Sequence, residues 1–206
     1  MKIKAILLDV DGVLISDYEI FSDRLEEKYN ISYENLMEFF HGGFQDCLTN
    51  TRDIREVLPY YFKQWGWDGT VDDFLIEWFE SENKPNLKLI NFLKKLRKEG
   101  YKVKFFLGTN NEKLRVDYIL NEMNFKEFVD KTYSSCNLYV KKPSSDFFNK
   151  ISEDINKNYF PITHSEILYF DDNIDNVESA KQLGFRAYQY KTFKDFEEVI
   201  KKYSLE

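Results

Sequence analysis

One stretch limits the possible folds more than any other: residues 3–14, which read Ile-Lys-Ala-Ile-Leu-Leu-Asp-Val-Asp-Gly-Val-Leu. Its apolar run through Ile6, Leu7 and Leu8 is short and soon meets a glycine, so it suits a strand buried on both faces better than a helix. Two carboxylates stand where that strand ends. Side chains alternate along a strand, so Asp9 and Asp11 project the same way, about 6.6 Å apart along the chain at about 3.3 Å per residue. Like charges that close repel, and a hard divalent cation with oxygen ligands relieves them. Mg²⁺ suits a site of one or two carboxylates completed by water and a phosphate. Gly12 then lets the chain turn away with no Cβ in its path. The bland alternative is a surface turn, because Asp-Gly is ordinary turn chemistry.

Beyond Leu14 the pattern becomes helical. Helices are expected over about 17–30, 33–40, 51–64 and 71–82, with breaks at His41-Gly42-Gly43 and at residues 65–69. In the last of them Val71, Phe74, Leu75, Trp78 and Phe79 repeat at helical spacing behind a Thr70-x-x-Asp73 capping box, which marks a core face. From Pro85 onward helices and strands alternate: helices over about 85–98, 112–123, 144–155 and 174–183, strands over 103–107, 131–134, 167–170 and 185–190, and a final helix after Thr192-x-x-Asp195. Strands separated by helices imply parallel pairing with right-handed crossovers, hence an α/β fold. The interval from Gly12 to Pro85 far exceeds an ordinary βα connection and has helices of its own. It reads as an inserted helical cap over 17–83, joined by linkers near 15–18 and 83–85 to a core of 1–16 and 84–206.

Bulk properties exclude several classes. The chain has 206 residues, 43% hydrophobic and 17% aromatic, enough for a sizeable core and unlike a disordered chain. A formal net charge of −7 disfavours a general nucleic-acid binder, which needs a basic face. No run of 18 apolar residues and no cleavable leader pattern occurs, so a soluble cytoplasmic protein without membrane contact is expected. Cys47 and Cys136 lack Cys-x-x-Cys spacing and read as ordinary thiols. Neither His41 nor His164 sits in a pattern that makes a Ser/His/Asp triad compelling.

Ligands of open parallel sheets bind beyond the carboxyl ends of the strands, and three more such ends carry polar residues. At Gly108-Thr109-Asn110-Asn111, a hydroxyl and backbone N–H groups could hold a phosphate oxygen, although a plain helix N-cap explains the same letters. In Lys141-Lys142-Pro143, the proline suits a first helical position and holds Lys142 extended, so its ammonium could reach a phosphate or Asp9. At Asp171-Asp172, adjacent acids end a buried strand. Helix-dipole complementarity accounts for one or two acids there but not readily for this pair, and a metal role is the better reading.

These four motifs, in this order and at these strand ends, resemble the haloacid dehalogenase (HAD) superfamily. The likeness covers essentially the whole chain, and residues 169–184 look like the fourth motif of the helical-cap subgroup, which includes sugar-phosphate phosphatases similar to glucose-1-phosphate phosphatase. It implies a doubly wound, Rossmann-like parallel sheet with an inserted all-helical cap. It also implies a Mg²⁺-dependent phosphatase acting on a small phosphate ester, with Asp9 as nucleophile and Asp11 as general acid and base. Asp9, the backbone carbonyl of Asp11 and Asp172 would hold the metal, with Asp171 a ligand directly or through water. Thr109, Asn110 and Lys142 would bind the phosphoryl group. Asp11 favours phosphoryl transfer over carbon–halogen cleavage, since halide needs no proton on leaving. A mutase similar to β-phosphoglucomutase keeps the same motifs, and a non-catalytic regulatory or binding protein is the alternative of another class. The cap would choose the substrate, with the turn at residues 41–46, and His41 and Gln45 within it, as the contact. A monomer or a homodimer is expected.

Overall fold

The structure is a computed structural model that describes residues 2–16 and 21–206. Strands β1 (Lys2–Ile3), β2 (Ala5–Leu8), β3 (Lys104–Thr109), β4 (Lys131–Ser134), β5 (Ile167–Asp171), β6 (Arg186–Gln189) and β7 (Ser204–Leu205) form two sheets. The larger is wholly parallel, in the order β4-β3-β2-β5-β6. The smaller is β1 beside β7.

Alternation along the central strands divides the core into two layers. Ile6 and Leu8, with Phe105, Leu107, Leu168 and Phe170, pack against helices α6 (Leu87–Lys98) and α11 (Phe193–Ile200). Ala5 and Leu7, with Phe106, Ile167 and Tyr169, face α9 (Ser145–Asn158) and α10 (Ile174–Gln182). A strand covered on both faces must be apolar at every position, as β2 is. The sheet is therefore doubly wound, as the sequence implies.

Between β2 and β3 lie α1 (Phe21–Tyr29), α2 (Tyr33–His41), α3 (Gly43–Leu48), α4 (Ile54–Trp65) and α5 (Val71–Ser81). They enclose a separate apolar cluster centred on Phe39, whose ring lies 5.1–6.4 Å from those of Phe40, Phe44, Tyr61, Trp65 and Trp78. The capping box expected before α5 is present, Thr70 and Asp73 each bonding the other's backbone. Where a turn is expected at 41–46, α2 instead runs to His41 and α3 starts at Gly43, because Phe44, Cys47 and Leu48 form one buried face. The first expected helix begins at about residue 17, and residues 17–20 lie outside those described, as does part of the expected linker at 15–18. Entry and exit run side by side: Ser16 N–H donates to Lys84 O (3.1 Å) and Asn86 N–H to Leu14 O (2.8 Å).

Helix α7 (Lys113–Asn121) follows β3, and a short helix α8 (Ser135–Leu138), not expected from the sequence, follows β4. Both cysteines are free and buried. His164 is half-buried, stacked on Phe185 and bonded through its two ring nitrogens to Leu183 O and Ser152 Oγ. No described helix is long and apolar enough to cross a membrane.

Candidate active site

Register brings the acids together. Leu8 is level with Leu107 on one side and Phe170 on the other, so the next residue of each strand places Asp9 beside Asp171 and Gly108. Asp9 and Asp171 also share the strand parity of Leu7 and Tyr169, which directs them to the face where α9 begins. Lys142 approaches from the loop before that helix. Its Nζ lies 2.8 Å from Asp9 Oδ1 and 2.7 Å from Asp171 Oδ2, with only 3% of the residue exposed.

Asp171 is saturated. Tyr169 OH and Asn176 Nδ2 (3.0 Å) also donate to Oδ2, and Asn173 N–H (2.8 Å) donates to Oδ1. Burial would raise its pKa, but Lys142 and these donors hold it below the ordinary value. Asp9 has fewer partners, Lys142 and the Val10 N–H at 2.7 Å, and burial drives its pKa well above the ordinary value despite Lys142. Burial alone would lower the lysine, yet Asp9 and Asp171 outweigh it and raise the ammonium's pKa.

The third acid is Asp172. Ligand atoms of Asp9, Asp171 and Asp172 all lie within 4.8 Å of one another. Three carboxylates against one ammonium leave two formal negative charges, and burial together with Asp171 pushes Asp172 upward. Gly12, at φ +76°, keeps the approach clear, since a Cβ there would stand 2.3 Å from Asp172 Oδ2. An all-oxygen donor set with surplus negative charge fits a hard divalent cation. Asp9 and Asp172, which have the spare oxygens, would hold it. The crowding of Asp171 turns that residue toward orienting Lys142.

The second carboxylate of the opening motif departs from the expected geometry. β2 ends at Leu8, and Val10 O accepts from the N–H groups of Leu14 (2.8 Å) and Ile15 (2.8 Å), so a tight turn replaces the strand alternation assumed for Asp9 and Asp11. Asp11 faces α7 instead: Asn111 Nδ2 donates to its Oδ2 at 2.7 Å, and Arg115 Nη2 lies 3.8 Å from Oδ1. The same Asn111 amide donates to Thr109 Oγ1 at 2.8 Å, which leaves the Thr109 hydroxyl proton to donate elsewhere.

Thr109 is the last residue of β3, and the N-cap of α7 is Glu112, so the plain capping explanation of Thr109-Asn110 does not apply. Asn110 uses its side chain on protein: Nδ2 donates to Lys142 O (3.0 Å) and Oδ1 accepts from Lys142 N–H (2.9 Å). It thus fixes the backbone that carries the lysine, and only its main chain is left to face a ligand. Pro143 is not the first helical residue either. The Lys142–Pro143 bond is cis, and Ser144 caps a helix that begins at Ser145. Of the two residues expected to meet substrate, His41 is exposed at the end of α2. Gln45, on α3, accepts from Lys141 Nζ and donates to Phe40 O (2.6 Å).

Sequence reading missed Tyr169, Asn176, Asn111, Arg115 and Glu82. Tyr169 was readable, because two positions before Asp171 on one strand means the same face. Arg115 and Glu82 were not, because their meeting depends on how the returning linker crosses α7. Arg115 is 2% exposed, and Glu82 is pushed up to about 7 by burial, against the pull of Arg115.

Residues 3–184 match the family model described as haloacid dehalogenase-like hydrolase. A curated relative, D-ribitol-5-phosphate phosphatase of Bacteroides thetaiotaomicron, is 23% identical over 197 residues, covering 91% of each chain. The solved HAD family enzyme bt-2542 of Bacteroides thetaiotaomicron superimposes with a TM-score of 0.81 at 22% identity, over 97% of this chain and 99% of that one. Its complex with magnesium and inorganic phosphate gives a TM-score of 0.78 at 22% identity, over 96% and 98%. At such identities the structural likeness speaks for the fold.

Proposed function

The chain belongs to the haloacid dehalogenase-like hydrolases, and from that premise we propose that it is a Mg²⁺-dependent phosphatase of a small monoester, a sugar phosphate or a related polyol phosphate. The observation that carries this reading is the buried Lys142 ammonium between Asp9 and Asp171, with Asp172 beside them. The named activity of the curated relative and the magnesium and phosphate bound by the solved neighbour support it.

In this reading Asp9 attacks phosphorus, the bond to the ester oxygen breaks, and Asp11 gives its proton to the departing alcohol. Asp11 then takes a proton from the water that displaces Asp9, which releases inorganic phosphate. Lys142 and the Thr109 hydroxyl hold the phosphoryl oxygens, and the backbone N–H groups of the Thr109-Asn110 segment face the same group. A bound Mg²⁺, held by Asp9, the carbonyl of Asp11 and Asp172, would supply charge neutralisation at the phosphoryl group. No single group suffices. Monoester hydrolysis can demand about 28 kcal/mol of barrier lowering, whereas a general acid supplies about 3–5, one aimed charge about 3–4 and positioning about 7–11.

Residues 17–83 act as the cap in this reading. Their separate apolar cluster and the paired linkers support a unit that moves as one body. Gln45, tied to the residue before Lys142, is the stronger candidate for reading the leaving group, and His41 the weaker. The test is a panel of phosphate esters with Mg²⁺ and with EDTA. Free phosphate is expected with the metal and none after chelation, with recovery on adding Mg²⁺ back. Activity that persists in EDTA, or a phosphate moved only to another hydroxyl of the sugar, would overturn the reading.

A further inference from the structure

We propose that Arg115 is a positioning residue for the Asp11 carboxylate, held in place by Glu82 of the segment that returns from the helical unit. The inference rests on the phosphatase reading, in which Asp11 protonates the leaving alcohol. An arginine is rarely this buried without charge partners, and Arg115 has two. Its Nη2 lies 3.1 Å from Glu82 Oε2 and 3.8 Å from Asp11 Oδ1, while Nη1 donates to Phe79 O at 3.3 Å. The guanidinium packs over the rings of Phe79 (5.2 Å) and Tyr118 (5.8 Å), which fix its plane.

Joining α7 to the linker does not by itself account for this arrangement. Nη2 is buried and makes no aligned hydrogen bond among the described residues, although it sits between two carboxylates. Asp11, partly open to solvent, has Oδ2 fixed by Asn111 and Oδ1 facing Arg115. Two groups of the β3–α7 segment, the Asn111 amide by a hydrogen bond and the Arg115 guanidinium by its charge, set the plane of that carboxylate. A general acid works only if its proton is held within hydrogen-bond reach of the leaving oxygen, so the angle of that plane matters to the chemistry. Glu82 balances the arginine's charge and couples its position to the linker.

The leaving group separates this role from a merely structural one. An alkoxide must be protonated as it departs, whereas a nitrophenolate leaves with little help. Arg115→Met is therefore expected to lower kcat/KM for ribitol 5-phosphate on the order of 10²-fold, the scale of a small misplacement of a catalytic group. For p-nitrophenyl phosphate the loss should stay within about threefold, and Arg115→Lys should recover part of the alkyl-ester activity. Because Arg115→Met leaves the half-buried Glu82 without its charge partner, the double variant Arg115→Met, Glu82→Gln removes both charges together and should show the same selectivity. Equal losses on both esters, or no loss on either, would overturn the inference while leaving the phosphatase reading intact. A wild-type enzyme that releases phosphate from no ester of the panel would overturn both.

Discussion

The mouth of the parallel sheet and the helical unit at residues 21–81 bury opposite kinds of matter. At the mouth, Asp9, Lys142, Asp171 and Arg115 are each at least 93% buried, and they are held by ion pairs and directed hydrogen bonds. The helical unit instead buries rings, Phe39, Phe44, Phe74, Trp65 and Trp78 among them, and leaves the indole N–H of Trp65 without a hydrogen-bond partner among the described residues. Removing a ring leaves a cavity, whereas removing a mouth residue leaves an uncompensated charge. Comparable losses of stability in the two regions should therefore have unlike consequences for chemistry.

The largest expected effect comes from Lys142→Met. It strands Asp9 and Asp171 in the interior, so chemical denaturation should show a loss of about 3–5 kcal/mol, and kcat should fall on the order of 10²–10³-fold as an aimed charge disappears. Phe39→Ala should cost a similar 3–5 kcal/mol through its cavity. Its folded fraction should nevertheless keep a near-normal kcat on a small aryl phosphate. If Phe39→Ala lost as much kcat as Lys142→Met, the contrast between the regions would fail.

Metal binding gives a smaller effect confined to the mouth. Mg²⁺ at about 100 times its dissociation constant should add about 2.7 kcal/mol to stability, read as a rise in Tm. Asp172→Asn should lose most of that rise, and a variant that kept it would remove Asp172 from the metal site. Gln45→Ala, where the two regions touch, should have the smallest effect, up to about 1.5 kcal/mol in the ranking of esters by kcat/KM. A uniform change on every ester would assign Gln45 to packing alone.

The sheet was legible because its signals are local. Alternation and length give β2, β3 and β5, and the strand ends at Asp9, Thr109 and Asp171 mark the side where ligands gather. Lys142 was legible as a reach, though not as a bridge between two acids, since that depends on a register only pairing defines. Strand periodicity does not set the direction of Asp11, because the chain leaves the sheet at Leu8 and Asn111 orients the carboxylate instead. The break expected at residues 41–43 is present at Gly42, but the turn expected to run on to residue 46 is not. The glycines suggest a turn, but the apolar face of Phe44, Cys47 and Leu48 continues the helical core. Arg115 and Glu82 left no sequence signal, since nothing local distinguishes a buried arginine from a solvated one on a helix.

The most direct test of the central claim is mass spectrometry of the enzyme quenched in acid during turnover of a phosphate ester with Mg²⁺. A phosphoryl increment on the peptide carrying Asp9, absent from the inactive Asp9→Asn variant, is the predicted result. An increment on another residue, or undiminished turnover by Asp9→Asn, would contradict the account.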